Sequence, residues 1–284
     1  METILYLASR LPLSLLRVLG RTMGFLIYCF SEQYRQRIHE NLKIAGIDSE
    51  EMARRVAQEQ GVQGVEAPWV WGRDRIESVK RTFVSKENEE MLRRTIEGRS
   101  VVFLTPHIGC YEVAPLWLAE RVLKGTDKNI AILYRVPRKA YLRKLVGEGR
   151  ASPNVLPSSA DLKGVRQILR TMKSGGMAGI LPDQVPSNGE GVWAPLFGRP
   201  AYTMTFPLRL IRQFNAAVIM ARSERVSGGW NVTFKVWDAQ LTGDDEKDAQ
   251  QLNRLIEETI LECPHQYLWS YNRYKCPSGV EKPE

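Results

Sequence analysis

The sequence predicts an α/β protein: a mixed sheet flanked by helices, preceded by an apolar N-terminal helix. The 284-residue chain is 43% hydrophobic and 25% charged, which are ordinary values for a folded protein. Short apolar segments of strand length alternate with amphipathic segments, and this alternation is typical of a sheet covered by helices on both faces. We expect residues 1–35 to form a membrane-associating helical segment and residues 36–284 to form the α/β domain.

The N-terminal segment is apolar but interrupted by positive charge. Residues 4–30 are rich in Leu, Ile, Val and Phe, whereas a helix that spans a membrane needs about 20 largely uncharged residues. Arg10, Ser14, Arg17 and Arg21 are spaced by four, three and four positions, which places them on one helical face. We predict a helix that presents this basic stripe and a broad apolar surface to an anionic membrane, either in its surface or deeper. The alternative is a helix packed on the protein core with its arginines in water.

The remaining elements are predicted in order from hydrophobic periodicity and from residues typical of helix ends. Helical patterns come before the first long strand at residues 50–65, 76–84 and 87–97. Apolar runs of strand length lie at residues 100–105, 130–134, 178–181, 216–221 and 232–237. Further helical patterns lie at residues 113–124, 138–146, 161–173, 203–213 and 246–262. Because sites in such sheets form beyond the carboxyl ends of strands, residues 105–112 and 182–191 are the expected site segments.

Residues 105–112 (TPHIGCYE) carry one of the three histidines of the chain. His107 and Glu112 are five positions apart, which on one regular helix would turn their side chains about 140° apart. Gly109 permits a turn that lets them converge. A carboxylate beside an imidazole fixes its tautomer and stabilises its protonated form, so the pair would act as a general base on an alcohol. The alternatives are a histidine that only satisfies a loop and a thiol nucleophile at Cys110, which is equally explained as buried filler.

Two further segments carry candidate binding residues. Arg135 closes a predicted strand and begins a segment, residues 135–150, with six basic residues and one acidic residue. Arginine binds phosphate in a forked geometry, although such clusters are usually solvated helix faces. Asp183 and Gln184 directly follow another predicted strand. The loop at residues 187–197 is rich in large apolar side chains, which would wall an acyl channel or pack in the core.

Composition narrows the classes of partner. Lys and Arg outnumber Asp and Glu by 40 to 32, which favours negatively charged partners such as phosphates, anionic lipids, nucleic acid or an acidic protein. The four cysteines form no C-x-x-C pair, and the chain contains no G-x-S-x-G elbow, phosphate-binding P-loop or H-E-x-x-H motif. No nucleic-acid-binding motif is present either. We therefore expect no metal site and no nucleic-acid partner.

Several blocks resemble the late acyltransferases of bacterial lipid A biosynthesis, a family of the lysophospholipid acyltransferase superfamily. The spacing of His107 and Glu112 resembles the H-x4-D/E signature of that superfamily. The similarity extends from the apolar N-terminus to about Pro277. The other similar blocks are Asn41-Leu42, Tyr134-Arg135, Asp183-Gln184, residues 197–201 (FGRPA), residues 266–269 (QYLW) and residues 273–275 (RYK).

The resemblance implies a fold, a reaction and a location. The fold would be that of the glycerolipid acyltransferases, on the cytoplasmic face of a Gram-negative inner membrane. An acyl carrier protein would donate a fatty acyl chain to a hydroxyl of a phosphorylated lipid A precursor, with no metal or other cofactor. His107 would be the general base oriented by Glu112, and Arg135, Asp183 and Gln184 would bind substrate. Transfer to another lipid, such as a lysophospholipid or glycolipid, and a non-catalytic membrane-binding protein are the alternatives.

Overall fold

The computed structural model describes residues 10–134, 136 and 153–283. Its α-helices are, in chain order, α1 (Leu13–Phe30), α2 (Glu32–Ile44), α3 (Glu50–Gly72), α4 (Arg75–Lys80), α5 (Lys86–Ile96), α6 (Val113–Leu118), α7 (Leu162–Lys173), α8 (Phe206–Phe214) and α9 (Asp245–Glu262). Its strands are β1 (Thr82–Phe83), β2 (Val101–Leu104), β3 (Ile130–Tyr134), β4 (Val155–Ser159), β5 (Met177–Ile180), β6 (Gly191–Leu196), β7 (Arg199–Met204), β8 (Ala217–Val226) and β9 (Gly229–Trp237).

A seven-stranded mixed sheet in the order β1-β9-β8-β2-β5-β3-β4 forms the centre of the protein. The five strands from β8 to β4 run parallel, whereas β9 is antiparallel to β8. All four residues of the central strand β2 are buried. Val101 and Phe103 pack into a core with α5 and α6, while Val102 and Leu104 pack into a second core with α8 and α9. Helices therefore cover both faces of the sheet, and the predicted fold class is confirmed.

The structure differs from the sequence prediction at several element ends. The predicted helix at residues 76–84 ends at Lys80, because Thr82–Phe83 pairs with β9 as a short edge strand. The predicted helix at residues 113–124 changes to a π-helical turn at Ala119–Leu123. Strand β4 was not predicted, and its Pro157 is tolerated because β4 lies at the edge of the sheet. The helix predicted at residues 138–146 lies outside the described residues.

A two-stranded antiparallel hairpin replaces the loop predicted at residues 187–197. Strands β6 and β7 pair from Gly191–Met204 to Leu196–Arg199, so the helix predicted to begin at residue 203 begins at Phe206. Leu196 is buried in the core. Of the two alternatives for this segment, an acyl-channel wall or core packing, Leu196 therefore follows the second.

Glycines let the N-terminal helix α1 lie against α3 at close range. A Cβ atom at Gly24 would lie 2.1 Å from the carbonyl oxygen of Ala57, and one at Gly61 would lie 2.0 Å from the carbonyl oxygen of Gly20. Real Cβ atoms do not approach so closely, so only glycine fits these positions. Helix α1 is thus packed along the protein rather than held away from it.

A buried chain of alternating charges also fastens α1 to the protein. The Arg17 Nε donates to Glu66 Oε1 at 2.7 Å, and the Arg225 Nε donates to Glu66 Oε2 at 2.7 Å. Arg225 and Arg21 both donate to Glu59, at 2.6 Å and 3.0 Å. Arg17 is only 6% exposed and Glu66 is fully buried. The prediction that the arginine stripe faces a membrane is wrong for Arg17, which is buried and paired with Glu66, whereas Arg21 pairs with Glu59 and stays half-exposed.

The opposite face of α1 is apolar and open. Among the described residues, α1 is the helix long and apolar enough to cross a membrane by length and composition, with a mean hydropathy of 1.4. Its exposed large apolar side chains are Leu15, Val18, Leu19, Met23, Phe25, Leu26, Ile27 and Phe30. The division of the chain at residue 35 stays a prediction.

Candidate active site

The two predicted site segments meet because β2 and β5 are adjacent, parallel and in register. Leu104 of β2 pairs with Ile180 of β5. His107 and Asp183 each lie three positions beyond these paired residues, so equal lengths of chain lead to both. The prediction that these segments follow the carboxyl ends of strands is confirmed, and the register explains why their side chains meet.

Asp183 holds the backbone and the ring of His107. Its Oδ2 accepts from the His107 backbone N–H at 3.0 Å, and its Oδ1 lies 2.9 Å from His107 Nδ1. An ionised carboxylate only accepts hydrogen bonds, so Nδ1 carries the proton and Nε2 keeps a lone pair. Burial acts to raise the pKa of Asp183, but the adjacent His107 and its two hydrogen bonds hold that pKa below its usual range. The arrangement leaves Nε2 able to take a proton.

Gln184 occupies the position in front of that lone pair. Its side-chain nitrogen lies 3.2 Å from His107 Nε2, so the amide donates to the imidazole. The ring of Tyr111 meets the His107 ring nearly edge-on, with centroids 4.7 Å apart. His107 is 8% exposed and Asp183 is 2% exposed, so the pair is almost fully buried, and His107 lines the cleft together with Tyr111 and Gln184.

The loop between His107 and α6 depends on a glycine in a left-handed conformation. Gly109 has a φ of +57°, and a Cβ there would lie 1.9 Å from the carbonyl oxygen of Ser223. The Gly109 N–H donates to the Gln266 carbonyl at 3.0 Å, and the Gln63 side chain donates to the His107 and Gly109 carbonyls. The turn predicted at Gly109 is confirmed. The part that Gln63 takes in holding the loop was not predicted, because it comes from a distant helix.

Glu112 lies at the start of α6, where its Oε2 accepts a hydrogen bond from Trp71 Nε1 at 3.1 Å. Glu112 is buried. Both ring nitrogens of His107 have other partners, since Asp183 meets Nδ1 and Gln184 meets Nε2. The prediction had Glu112 orient the ring of His107. In the structure, Asp183 makes the contact with Nδ1 instead. A catalytic role for Glu112 stays a prediction.

Cys110 does not have the properties of a nucleophile. Its side chain is buried, and the pKa of its thiol is raised well above the usual value, first by burial and then by the nearby charge of Glu66. A reactive cysteine needs accessible thiolate, which these surroundings disfavour. The filler interpretation of this residue fits the structure.

The site opens into a cleft of about 860 Å³. That volume lies within the range of about 300–1,000 Å³ that is typical of ligand sites. Its described walls include Trp71, Leu133 and Leu181, together with Met204 at the end of β7 and Phe206 at the start of α8. His107 and Gln184 are among its described polar groups. The cleft therefore combines a proton acceptor with apolar walls.

The predicted ligand-binding residues can be compared with the structure only in part. Arg135 lies outside the described residues, so its predicted phosphate contact stays a prediction. Within the described ranges, no group of three or more His, Cys, Asp or Glu side chains is arranged to hold a metal ion. Asp183 and Gln184, predicted to bind substrate, both contact the ring of His107.

Comparison with known proteins extends the similarity over almost the whole chain. The family described as bacterial lipid A biosynthesis acyltransferase matches residues 3–276. The lipid A biosynthesis lauroyltransferase of Escherichia coli (strain K12) is 23% identical, over 98% of this chain and 91% of that protein. The palmitoleoyltransferase of the same organism and a lipid A biosynthesis acyltransferase of Shigella flexneri are each 23% identical, over 96% of this chain and 89% of theirs.

Proposed function

Because the chain belongs to the bacterial lipid A biosynthesis acyltransferase family, we propose that it moves a fatty acyl chain from an acyl carrier protein to a hydroxyl of a phosphorylated lipid A precursor. The family makes the protein an acyltransferase, and the choice of donor and of acceptor hydroxyl is the proposal. The observation that supports it most is the His107–Asp183 pair, which directs the lone pair of His107 Nε2 into an apolar cleft, where only the Gln184 amide meets it among the described residues.

In the proposed reaction, the acceptor hydroxyl takes the place of the Gln184 amide at His107 Nε2. His107 removes the hydroxyl proton while the oxygen attacks the thioester carbonyl. The tetrahedral intermediate then collapses, the carbon–sulfur bond breaks, and the imidazolium returns the proton to the departing thiolate. The products are an ester and a free carrier thiol, and the enzyme returns to its starting state without a metal or a covalent intermediate.

Asp183 and Gln184 support this reaction in different ways. The negative charge of Asp183 stabilises the imidazolium and keeps the ring in the tautomer that can accept a proton. The Gln184 amide, once displaced from Nε2, remains beside the reacting carbonyl and can donate to its developing negative charge. Glu112 is the second buried carboxylate of the site, and we retain it as a residue needed for turnover. Arg135 is proposed to meet the acceptor phosphate, as is Arg209, which lines the cleft.

The location we propose is the cytoplasmic face of the inner membrane, with α1 lying in the membrane surface. A spanning α1 would have to leave α3 and separate Arg17 from Glu66. Removing one partner of a buried ion pair typically costs about 3–5 kcal/mol, so this separation is disfavoured. Lying flat, α1 keeps its ion pairs and places its open apolar face among the lipid chains. The protein would then lie on the membrane that contains its lipid substrate.

A product-mass assay tests the proposal. Purified protein would be given a lipid A precursor and a set of acyl carrier protein thioesters of different chain length. We expect an acceptor heavier by one acyl group with the wild type and none with His107→Ala, whose fold is checked by circular dichroism. Transfer only to a lysophospholipid or glycolipid would show that the acceptor is a different lipid, while the proposed reaction would stand. Transfer to no lipid by a folded wild-type protein would refute the proposal.

A further inference from the structure

Helix α7 carries a row of four exposed cations. Lys163, Arg166, Arg170 and Lys173 are spaced by three, four and three positions, so they share one helical face. All four are exposed, whereas Ile168 and Met172 on the opposite side are buried. The helix contains no acidic residue. We call this row the basic face of α7.

The described surroundings of the basic face offer it little negative charge. Several cations on other exposed helices pair with a carboxylate one turn away, as in Arg54–Glu50, Arg81–Glu77 and Arg93–Glu89. Within the part of the chain that the structure describes, no carboxylate forms an ion pair with any of the four side chains of the basic face. The carboxylate nearest in sequence, Asp161, caps the helix by accepting from the Gly164 N–H at 2.9 Å. Lys163 also interacts electrostatically with Asp161, but among the described residues none of the four side chains is held in an ion pair, so their charges are available to a partner.

The position of α7 connects this face to the active site. Asp161, Leu162 and Val165 line the cleft, so the basic face begins at its rim. At 1.5 Å per residue, the four cations extend roughly 15 Å away from that rim. Leu162 is 76% exposed at the near end, which adds an apolar contact beside the charges. An apolar centre with a charged border is typical of protein interfaces.

The two open surfaces lie at different ends of the sheet. Helix α7 packs on β3, β4 and β5, whereas Arg17 of α1 donates to the carbonyl oxygens of Val226 and Gly229, which flank the β8–β9 turn. The sheet order puts β8 and β9 towards one edge and β3 and β4 at the other. Helix α1, which carries the open apolar face, therefore lies towards the opposite end of the sheet from the basic face. This separation favours a protein partner over lipid headgroups on α7.

We propose that the basic face of α7 is the docking surface for the acidic carrier protein that brings the acyl thioester. The inference rests on the proposed function, since it needs a thioester donor attached to a protein. Complementary charge would steer the carrier to the rim of the cleft, and the thioester arm would then enter between Leu162 and Gln184. Lys163, Arg166, Arg170 and Lys173 would set the rate of association without contacting the reacting atoms.

Two donors separate docking from chemistry. Initial rates would be measured with an acyl carrier protein thioester and with the same acyl group on pantetheine alone. In the charge-reversal variant Arg166→Glu/Arg170→Glu, we expect KM for the carrier thioester to rise about 10- to 100-fold, because steering is lost. KM for the pantetheine donor and kcat for both donors should stay unchanged. The matched control Lys43→Glu/Arg254→Glu reverses two exposed cations elsewhere and should behave as the wild type.

Each other outcome has a distinct meaning. An unchanged KM for the carrier thioester in the α7 variant would overturn the docking surface but not the proposed function. An equal rise in KM, or an equal fall in kcat, with both donors would do the same. Loss of binding to anionic vesicles with unchanged use of the carrier would assign the basic face to lipid headgroups and overturn the inference. A wild-type enzyme that uses acyl pantetheine but not the carrier thioester would overturn the proposed donor, and the docking surface with it.

Discussion

Replacing Asp183 by Asn tests which residue orients His107. The change keeps the size of the side chain but removes its charge and half of its accepting capacity. In the wild type, Asp183 accepts from both the ring and the backbone of His107. An amide can equally present its NH2 group to Nδ1, which would force the ring proton onto Nε2 and remove the proton acceptor. We therefore expect turnover to fall while substrate binding changes little.

The size of the loss follows from the geometry. Two unit charges separated by the 2.9 Å between Nδ1 and Oδ1 interact by about 6 kcal/mol at an effective dielectric constant near 20. The dipole of the Asn side chain recovers part of this, leaving a loss of about 3–5 kcal/mol for the charged imidazolium. Since about 1.4 kcal/mol is a factor of ten in rate, kcat should fall about 10²- to 10⁴-fold.

Two measurements check the effect of Asp183→Asn. Steady-state kinetics should show the fall in kcat with KM within a few-fold of wild type. The ¹⁵N chemical shifts of His107 should place the proton on Nδ1 in the wild type and move it in Asp183→Asn. Glu112→Gln serves as the control, because the ring proton should stay on Nδ1 even where turnover falls. A folded Asp183→Asn variant with wild-type kcat, or a wild-type ring protonated at Nε2 alone, would refute the reasoning.

The same carboxylate makes stability depend on pH. Because the pKa of Asp183 is lower in the folded protein than its usual value of 3.8, its contribution is fully present above that value. The contribution is lost as the pH falls through the folded pKa. The free energy of unfolding of the wild type should therefore fall more steeply below about pH 4 than that of Asp183→Asn. Urea titrations of both proteins across that range measure the difference, and parallel curves would contradict the predicted charge state.

The turn beside His107 and the open face of α1 give two further predictions. Gly109→Ala should destabilise the protein by about 3 kcal/mol, through left-handed strain and the clash with a backbone oxygen, whereas Gly98→Ala, at a φ of +74° with open space, should lose about 1 kcal/mol. Urea unfolding compares the two, and equal losses would show that the close approach has no cost. Leu19→Asn/Leu26→Asn should weaken sedimentation with zwitterionic vesicles about tenfold, because two half-exposed apolar side chains no longer enter the lipid. The single polar substitution Thr22→Asn is the control, and unchanged sedimentation of the double variant would exclude lipid contact on this face.

The fold could be predicted from sequence because buried parallel strands and amphipathic helices leave strong local patterns. Residues 130–134 were predicted as a strand with the bounds that the structure gives to β3. The hairpin of β6 and β7 was missed because Pro195 and Pro200 pair with each other inside it, and prolines argue against strands. Such pairing is decided by contacts that a single segment does not reveal.

The site was predicted only in part, because its contacts also depend on residues that are far apart in the sequence. His107 stood out through its position after a strand, but the pairing with Asp183 depends on the register of β2 against β5, which sequence spacing does not give. The equal offset of three residues after each strand was a usable signal. The direction of α1 was predicted wrongly because the arginine spacing fixes a face but not what covers it. The carboxylate that pairs with Arg17, Glu66, lies far along the chain, on α3.

The most direct test of the central claim is rescue of His107→Ala by free imidazole in the acyl transfer assay. Deleting the side chain removes the proton acceptor and leaves a space beside Asp183 that imidazole can fill. We predict a fall in transfer of about 10²- to 10⁴-fold, with a partial return that saturates as imidazole is added and is absent in His107→Ala/Asp183→Asn. A folded His107→Ala protein that keeps the wild-type rate would contradict the account.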